Sequence, residues 1–392
     1  MQDKTTLGIS DTFRAYIEEL VKAVVLEGVS FDNQKKWLRK YSEAEGVDYD
    51  ALETNLSNFF QSMEEYKSLH SKSGERLARL LARECYISDI IVDRVMSENG
   101  KPNTTTVSHP NKRENEPDLF KVDNGVLYAK RKIAGRVTIP SQLNGQTITD
   151  IGERAFADCT DLKSIIIPET VLGIGNNAFR NCCGLTSVSF PDASSLIEIG
   201  DWAFGNCTGL TSIVIPSIQL KRIGNNAFNS CFNLASIDMM ATEIGKMAFY
   251  KCGLKTIYLS STINIEDNAF AECQRLESII LPYSITQIER GAFTGCCNLK
   301  EVCIPDSVTT IGDYAFCKSG LVSVYIPNSV TKIGKGVFFQ CVGLEDVYIP
   351  GSVIEIGSSV FLSCSNLKTI YIRDSSLLKD AQVPQGVRIE RL

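Results

Sequence analysis

The chain has 392 residues, of which 44% are hydrophobic and 22% are charged. This composition is typical of a folded protein with room for more than one domain. A formal net charge of −6 argues against a nucleic-acid-binding protein, because phosphate contacts require a basic surface. The sequence has no stretch of about 18 apolar residues, so no membrane span is predicted.

Residues 1–100 show the periodicity of amphipathic helices. Phe13, Ile17, Leu20, Val21 and Val24 recur at three- and four-residue steps, which places them on one helical face. Similar runs follow, separated by short loops, and together they predict an all-α helical bundle. Charges interrupt the first apolar run, which argues against a secretory signal. A cytoplasmic location is therefore expected if Met1 is the native start, with a cell-surface or secreted location as the alternative.

Two segments connect this bundle to the rest of the chain. Residues 101–117 are polar, contain three prolines and lack apolar periodicity, so they are predicted to be a flexible linker. Residues 118–150 contain Asp123-Asn124-Gly125, which is a strong hairpin signal. This segment departs from the repeats that follow it, as a terminal unit does when it covers the open end of a stack. It is predicted to be an N-terminal cap.

Residues 151–375 consist of one short phrase repeated ten times. The phrase reads I-G-x-x-A-F-x-x-C-x-x-L-x-x-I-x-I-P, and successive copies begin 21 to 25 residues apart. This period lies in the range of leucine-rich repeats. A single copy could not bury its own apolar residues, so the copies are predicted to stack into a solenoid with parallel sheets. The remaining residues, 376–392, are predicted to be a C-terminal cap or tail.

Each part of the phrase has a predicted role. The spacing A-F-x-x-C predicts a short helical turn on one flank, and L-x-x-I-x-I-P predicts a strand that ends at proline. The glycine of I-G is replaced at Glu266 and Glu289. The phenylalanine occurs in every copy, and a buried spine of stacked rings is predicted for Phe156, Phe179, Phe204, Phe228, Phe249, Phe270, Phe293, Phe316, Phe338 and Phe361.

Nine copies carry a cysteine three residues after this phenylalanine, and the remaining copy carries Ser319. Cysteine is a small residue that buries easily, so a ladder of reduced, buried thiols is predicted. Neighbouring copies are close enough for a few disulfides to form in an oxidising compartment, which is the alternative.

The repeated phrase resembles the BspA-like (Treponema pallidum-type) leucine-rich repeat family over about residues 118–375. This resemblance implies a curved solenoid that binds proteins, often as a bacterial surface protein that adheres to host or matrix proteins. The expected fold class is therefore an α+β repeat protein, in which a leucine-rich-repeat solenoid follows an N-terminal all-α bundle.

The strand L-x-x-I-x-I-P places alternate side chains on the outer face of the solenoid. The row between the two isoleucine positions includes Tyr258, Ile280, Tyr325, Tyr348 and Tyr371, and the row two residues earlier includes Ser323, Asp346 and Thr369. Rigid tyrosine rings beside small hydroxyl groups are typical of binding surfaces. These eight residues are the candidate partner-binding residues. The alternative is that the tyrosines are ordinary exposed strand residues that pack on their neighbours.

The sequence does not favour an enzyme. The repeats contain no histidine, no phosphate-binding glycine loop and no metal-ligand spacing, so no catalytic residue, cofactor or metal is predicted. The predicted function is a non-catalytic scaffold that binds an unknown protein on the strand face, as a monomer or weak oligomer. Two alternatives stay open, an exported surface adhesin and an intracellular regulatory protein that acts through the helical segment.

Overall fold

The computed structural model describes residues 119–392 apart from 192, 193, 218, 240, 260, 261 and 283, together with residues 17, 52, 53 and 56. The side chains of residues 258 and 280 are also outside the description. The chain divides into two compact units, Met1–Lys112 and Arg113–Leu392.

Four positions of the first unit are described. Ile17, Leu52, Glu53 and Leu56 are helical, and the three apolar ones are buried. The rest of the predicted bundle and the predicted linker at 101–117 lie outside the described residues, so both stay predictions. Among the described residues, no helix combines the length and the apolar character needed to cross a bilayer.

The second unit begins with an antiparallel hairpin, formed by strands Phe120–Asp123 and Val126–Ala129. The two loop residues, Asn124 and Gly125, have φ of 50° and 83°. Positive φ at both loop positions matches the right-handed twist of the strands, which explains why Asn-Gly is favoured here. The second strand then pairs in parallel with Asp150–Ile151, so the hairpin continues directly into the stack.

Further strands complete this end of the solenoid. Gln142–Leu143 and Gln146–Thr147 form a second hairpin, and Gly135–Thr138 pairs in parallel with Leu162–Ile166. Phe120 lies edge-on to Phe156 with 6.1 Å between ring centroids, which covers the end of the phenylalanine spine.

Each repeat opens with a two-residue strand, which we call the opening strand. The isoleucine of each opening strand points into the core. The ten opening strands are Asp150–Ile151, Gly173–Ile174, Glu198–Ile199, Arg222–Ile223, Glu243–Ile244, Asn264–Ile265, Gln287–Ile288, Thr310–Ile311, Lys332–Ile333 and Glu355–Ile356. The first six join the N-terminal hairpin in an eight-stranded sheet, and the last four form a separate four-stranded sheet.

Nine repeats also contain a second strand on the outer face of the solenoid, which we call the face strand. These are Leu162–Ile166, Ser187–Ser189, Ser212–Val214, Ser236–Asp238, Thr256–Tyr258, Ser278–Ile280, Ser323–Tyr325, Asp346–Ile349 and Thr369–Ile372. With the terminal strands Gly135–Thr138 and Arg388–Glu390 they form sheets of three, two, two and four strands. The parallel pairing predicted from the sequence is confirmed, but neither row of strands is one continuous sheet.

The flank between the two strands is not helical, contrary to the sequence prediction. In the second repeat, Ala178 donates its backbone N–H to Gly175 at 3.2 Å, whereas Phe179 donates to Ala203 of the next repeat at 2.7 Å. Asn177 and Asn181 adopt the left-handed region with φ of 56° and 62°. The flank is thus a chain of tight turns whose alternate amides bond to the next repeat. Turns of this length reproduce the spacing of apolar residues in a helix.

The core is a set of side-chain ladders that run through the stack. Consecutive phenylalanine rings from Phe156 to Phe361 are stacked, with centroid distances that range from 5.0 to 6.1 Å. The cysteines at the repeated position are free and buried. Each thiol from Cys182 onward donates to the carbonyl of the phenylalanine one repeat earlier, as Cys207 does to Phe179 at 3.1 Å. This bond accounts for a sulfhydryl at a position that lies among apolar groups.

The C-terminal segment covers the other end. A short 3-10 helix spans Ser375–Leu378, and Arg388–Glu390 pairs in parallel with Thr369–Ile372. Ala381 is buried, and its carbonyl accepts the backbone N–H of Phe361 at 2.9 Å. The final strand places polar residues beside the last repeat.

Candidate protein-binding surface

The last four strands of the outer face form one sheet, and its register brings three tyrosines into one row. Tyr325 pairs with Tyr348 and Tyr348 pairs with Tyr371. Glu390 of the terminal strand follows Tyr371 in the same row. We call Tyr325, Tyr348 and Tyr371 the tyrosine row.

The three rings differ in packing. Tyr348 and Tyr371 are parallel, with centroids 4.3 Å apart, whereas Tyr325 is tilted by 39° at 6.2 Å from Tyr348. Tyr325 is 56% exposed and the other two are half-buried. Partial burial, and then the neighbouring Tyr371, raise the pKa of Tyr348. Its phenol is therefore neutral at physiological pH and can donate a hydrogen bond.

The row two residues earlier contains Ser323, Asp346 and Thr369, followed by Arg388. Ser323 is exposed and Asp346 is half-buried. Thr369, expected on the surface, is only 9% exposed. The added strand pairs Arg388 alongside it, so this position presents a guanidinium to solvent in place of a hydroxyl.

A charged margin beside these rows was missed at the level of sequence. Lys368 and Glu345, from neighbouring repeats, form an ion pair at 2.6 Å, and Arg388 contacts Glu390 at 3.3 Å. The first pair could have been found, because the two residues occupy the same position of successive copies. The second joins residues two apart on one strand, which share a face, so it requires only that the terminal segment be extended.

The other predicted members lie elsewhere. Tyr258 pairs with Ile280 in a separate two-stranded sheet, and the side chains of both lie outside the described residues. The tyrosine row therefore consists of three residues from consecutive repeats. The same row nearer the N-terminus presents Ser189, Val214 and Asp238, which share neither size nor charge.

The thiols of the core are poor candidates for chemistry. Burial raises the pKa of Cys182, Cys273 and Cys364 to about 12 and that of Cys341 to about 11. The thiolate is the reactive form of cysteine, so buried thiols with raised pKa values are poorly suited to act as nucleophiles. Among the described residues, no group of three or more histidine, cysteine, aspartate or glutamate residues is placed to hold a metal ion.

Comparison with known families agrees with the architecture. A model described as the BspA type leucine rich repeat region, in six copies, matches residues 149–274 and 263–380. The protein belongs to this family of leucine-rich repeats, whose members are generally non-catalytic scaffolds for protein interactions. A search of curated proteins finds no match.

Several solved structures are similar to the solenoid. A leucine rich cell surface protein of Faecalibacterium prausnitzii is 23% identical over 72% of this chain and 95% of its own, with a TM-score of 0.38. The pneumococcal vaccine antigen PcpA is 22% identical over 65% and 73%, with a TM-score of 0.46. The leucine rich repeat protein of T. pallidum is 21% identical over 71% and 100%, with a TM-score of 0.37.

Proposed function

We propose that the protein binds a protein partner on the last four strands of the outer face, with the tyrosine row at the centre. The observation that carries this proposal is the alignment of Tyr325, Tyr348 and Tyr371 on a regular sheet. The buried positions beneath this row hold the same apolar residues as other repeats, so stacking of the core does not require the rings.

The chemistry of the row suits protein recognition. Tyrosine presents a large apolar area and a hydroxyl, and only two torsions are fixed when it is bound. The parallel contact between Tyr348 and Tyr371 restrains both rings before binding, which reduces the entropy lost in the complex. Ser323 and the pair Lys368–Glu345 supply the polar margin that surrounds the apolar centre of most interfaces.

The test replaces Tyr325, Tyr348 and Tyr371 together with serine. The full-length wild type and the variant are immobilised, and the proteins that each retains from native extract are compared. The wild type is expected to capture a partner that the triple variant loses, while the melting temperature of the variant stays close to that of the wild type.

A matched control comes from the flank. Tyr314→Ser makes the same chemical change away from the outer face, at a left-handed position where serine also occurs in other repeats, as at Ser359. This control is expected to retain the partner. If the triple variant retains it too, or if the control loses it equally, the tyrosine row is not the binding surface.

The alternatives from the sequence are separate hypotheses. Fractionation of native cells distinguishes an exported adhesin from a cytoplasmic scaffold. Capture experiments with residues 1–112 deleted address a regulatory role of the predicted helical bundle, because a scaffold that uses the tyrosine row would still bind without them.

A further inference from the structure

Most repeats require glycine directly after the isoleucine of the opening strand. A Cβ atom on Gly312 would lie 2.8 Å from the backbone nitrogen of Arg290 in the preceding repeat, and one on Gly175 would lie 2.7 Å from that of Glu153. These distances are shorter than real contacts of Cβ atoms, so a side chain at either glycine would require the neighbouring backbone to shift. Glycine therefore lets successive backbones approach closely enough to pair.

This glycine is replaced in two successive repeats, at Glu266 and Glu289. Glu266 still donates its backbone N–H to Ile244 at 2.9 Å. Glu289 has no such bond to Ile265 within the described part of the chain, whereas Gly312 in the next repeat donates to Ile288 at 2.7 Å. The opening strands separate at the same place, between Asn264–Ile265 and Gln287–Ile288.

The face strands also separate at this level, as they do between Ser187–Ser189 and Ser212–Val214 and between Ser236–Asp238 and Thr256–Tyr258. Ser278–Ile280 pairs with the preceding face strand, and the repeat after it contributes a single bridge residue, Cys303, in place of a strand. The flank stays connected, because Phe270 donates its backbone N–H to Ala292 at 3.0 Å. The two repeats are thus joined along the flank, whereas their opening strands lie in different sheets.

Like charges fill the opening. Lys246, Asn264, Glu266, Asp267 and Glu289 line an open cavity of about 270 Å³. Burial, followed by Asp267 and Glu266, raises the pKa of Glu289, and Lys246 opposes this effect. Lys246 lies 3.8 Å from Asp267 and compensates only part of the negative charge. The repeat that begins at Ile311 contributes no charged group to the described lining.

We propose that the junction between the repeats that begin at Ile265 and Ile288 is a hinge, with the flank as its axis and with Glu289 as the residue that holds the strand side open. The side chain separates the backbones, and its charge repels Glu266 and Asp267. The solenoid then consists of two stiff segments, and the tyrosine row lies on the second. Protonation of the carboxylates closes the strand side.

Hydrogen exchange of the full-length protein tests this hinge at single amides. The exchange rate at Glu289, corrected for its intrinsic rate, is compared with that at Gly312 of the same chain. A missing ladder bond at a flexible joint is expected to make the Glu289 amide exchange about tenfold faster or more. Equal protection of the two amides would overturn the proposal.

Two substitutions separate shape from charge. Glu289→Gly removes the side chain together with its charge, and the amides of residues 289 and 312 are expected to become similarly protected. Glu289→Gln keeps the side chain but removes its charge, so the difference between the amides is expected to shrink in part. Glu355→Gln, at an opening strand where Glu355 pairs with Lys332 at 2.9 Å, is the matched control and leaves the ratio unchanged.

The contribution of charge has its own signature. Burial and the neighbouring carboxylates raise the pKa of Glu289, so lowering the pH shifts it towards its protonated form and is expected to reduce the difference between the amides in the wild type. In Glu289→Gln the ratio is expected not to respond to pH. The hinge would be contradicted if the ratio of the two exchange rates did not change with pH in the wild type. It would also be contradicted if this ratio were unaltered in Glu289→Gly.

Discussion

The N-terminal and C-terminal parts of the solenoid share a core but not a surface. Phe179 and Phe204 stack at 5.0 Å in the first part, and Phe338 and Phe361 stack at 6.0 Å in the second. Above this common core the outward row changes from serine, valine and aspartate to three tyrosines. The repeated residues therefore account for the fold, whereas the surface that the solenoid presents depends on positions that vary between repeats.

The largest expected effect concerns the buried phenylalanine rings, which should contribute equally to stability in the two parts. Phe204 and Phe338 are fully buried, so Phe204→Ala and Phe338→Ala are each expected to lower the free energy of unfolding by about 3–5 kcal/mol. Urea unfolding monitored by circular dichroism measures this loss. Phe232, which is 49% exposed, is the control, and Phe232→Ala is expected to change stability by less than about 0.5 kcal/mol. A cost below about 1 kcal/mol for either buried ring would show that the two parts are built differently.

Shortened repeats provide a second test, because one occurs in each part. Gly253 and Gly320 lie in copies that are one residue shorter, and a Cβ atom on them would overlap the carbonyl oxygens of Phe232 and Cys297. Gly253→Ala and Gly320→Ala are each expected to cost about 1–3 kcal/mol in unfolding experiments.

The matched control is Gly343→Ala, in a repeat of full length. The nearest atoms to a Cβ there are 3.5 Å away, which is an ordinary contact. Its effect is expected to be within about 0.5 kcal/mol. If all three substitutions cost the same, close approach of the backbone is not the reason for glycine in the shortened repeats.

Cysteine reactivity provides a further test, because buried thiols occur in both parts of the solenoid. Burial raises the pKa of Cys182 and Cys364 to about 12, whereas Cys183 and Cys297 are exposed. Alkylation of the native protein followed by mass spectrometry is expected to label Cys183 and Cys297 and to spare the buried thiols. Labelling of buried thiols in one part alone would show that this part opens locally.

The same shifts predict how stability depends on pH. Above about pH 9 the unfolded chain loses thiol protons that the folded chain retains, so the unfolded state binds fewer protons. The contribution of the thiols to the free energy of unfolding is therefore expected to be fully present below this pH. It is expected to decrease as the pH rises towards 12, because burial raises the pKa of Cys273 to about 12. Thermal unfolding as a function of pH measures the trend, and a Tm that rises with alkaline pH would contradict it.

Much of this architecture could be predicted from the sequence. The recurrence of phenylalanine, cysteine and isoleucine at fixed positions identifies the ladders, since each must be buried by its neighbours. The alternation around Tyr325 and Tyr348 indicated which side chains point outward, and the register agrees. The periodic features could be predicted because each of the ten copies must bury the same apolar residues against its neighbours.

The structure of the flank and the separation at the junction could not be predicted from the sequence in the same way. The spacing of Phe179 and Cys182 fits a helix as well as a chain of turns, and the distinguishing signal was the asparagine at positions such as Asn181, which tolerates the left-handed region. The replacement of glycine at Glu289 was visible, but its consequence was not. It depends on how closely two backbones approach, and that distance follows from the stacked structure.

The most direct test of the binding surface is a hydrogen-exchange footprint of the full-length protein with and without the partner that the wild type captures. The account predicts that protection increases in peptides containing Ser323–Tyr325, Asp346–Ile349 and Thr369–Ile372. It predicts no change in peptides from the first three face strands. Protection confined to residues 1–112, or to the face strands between Leu162 and Val214, would contradict it.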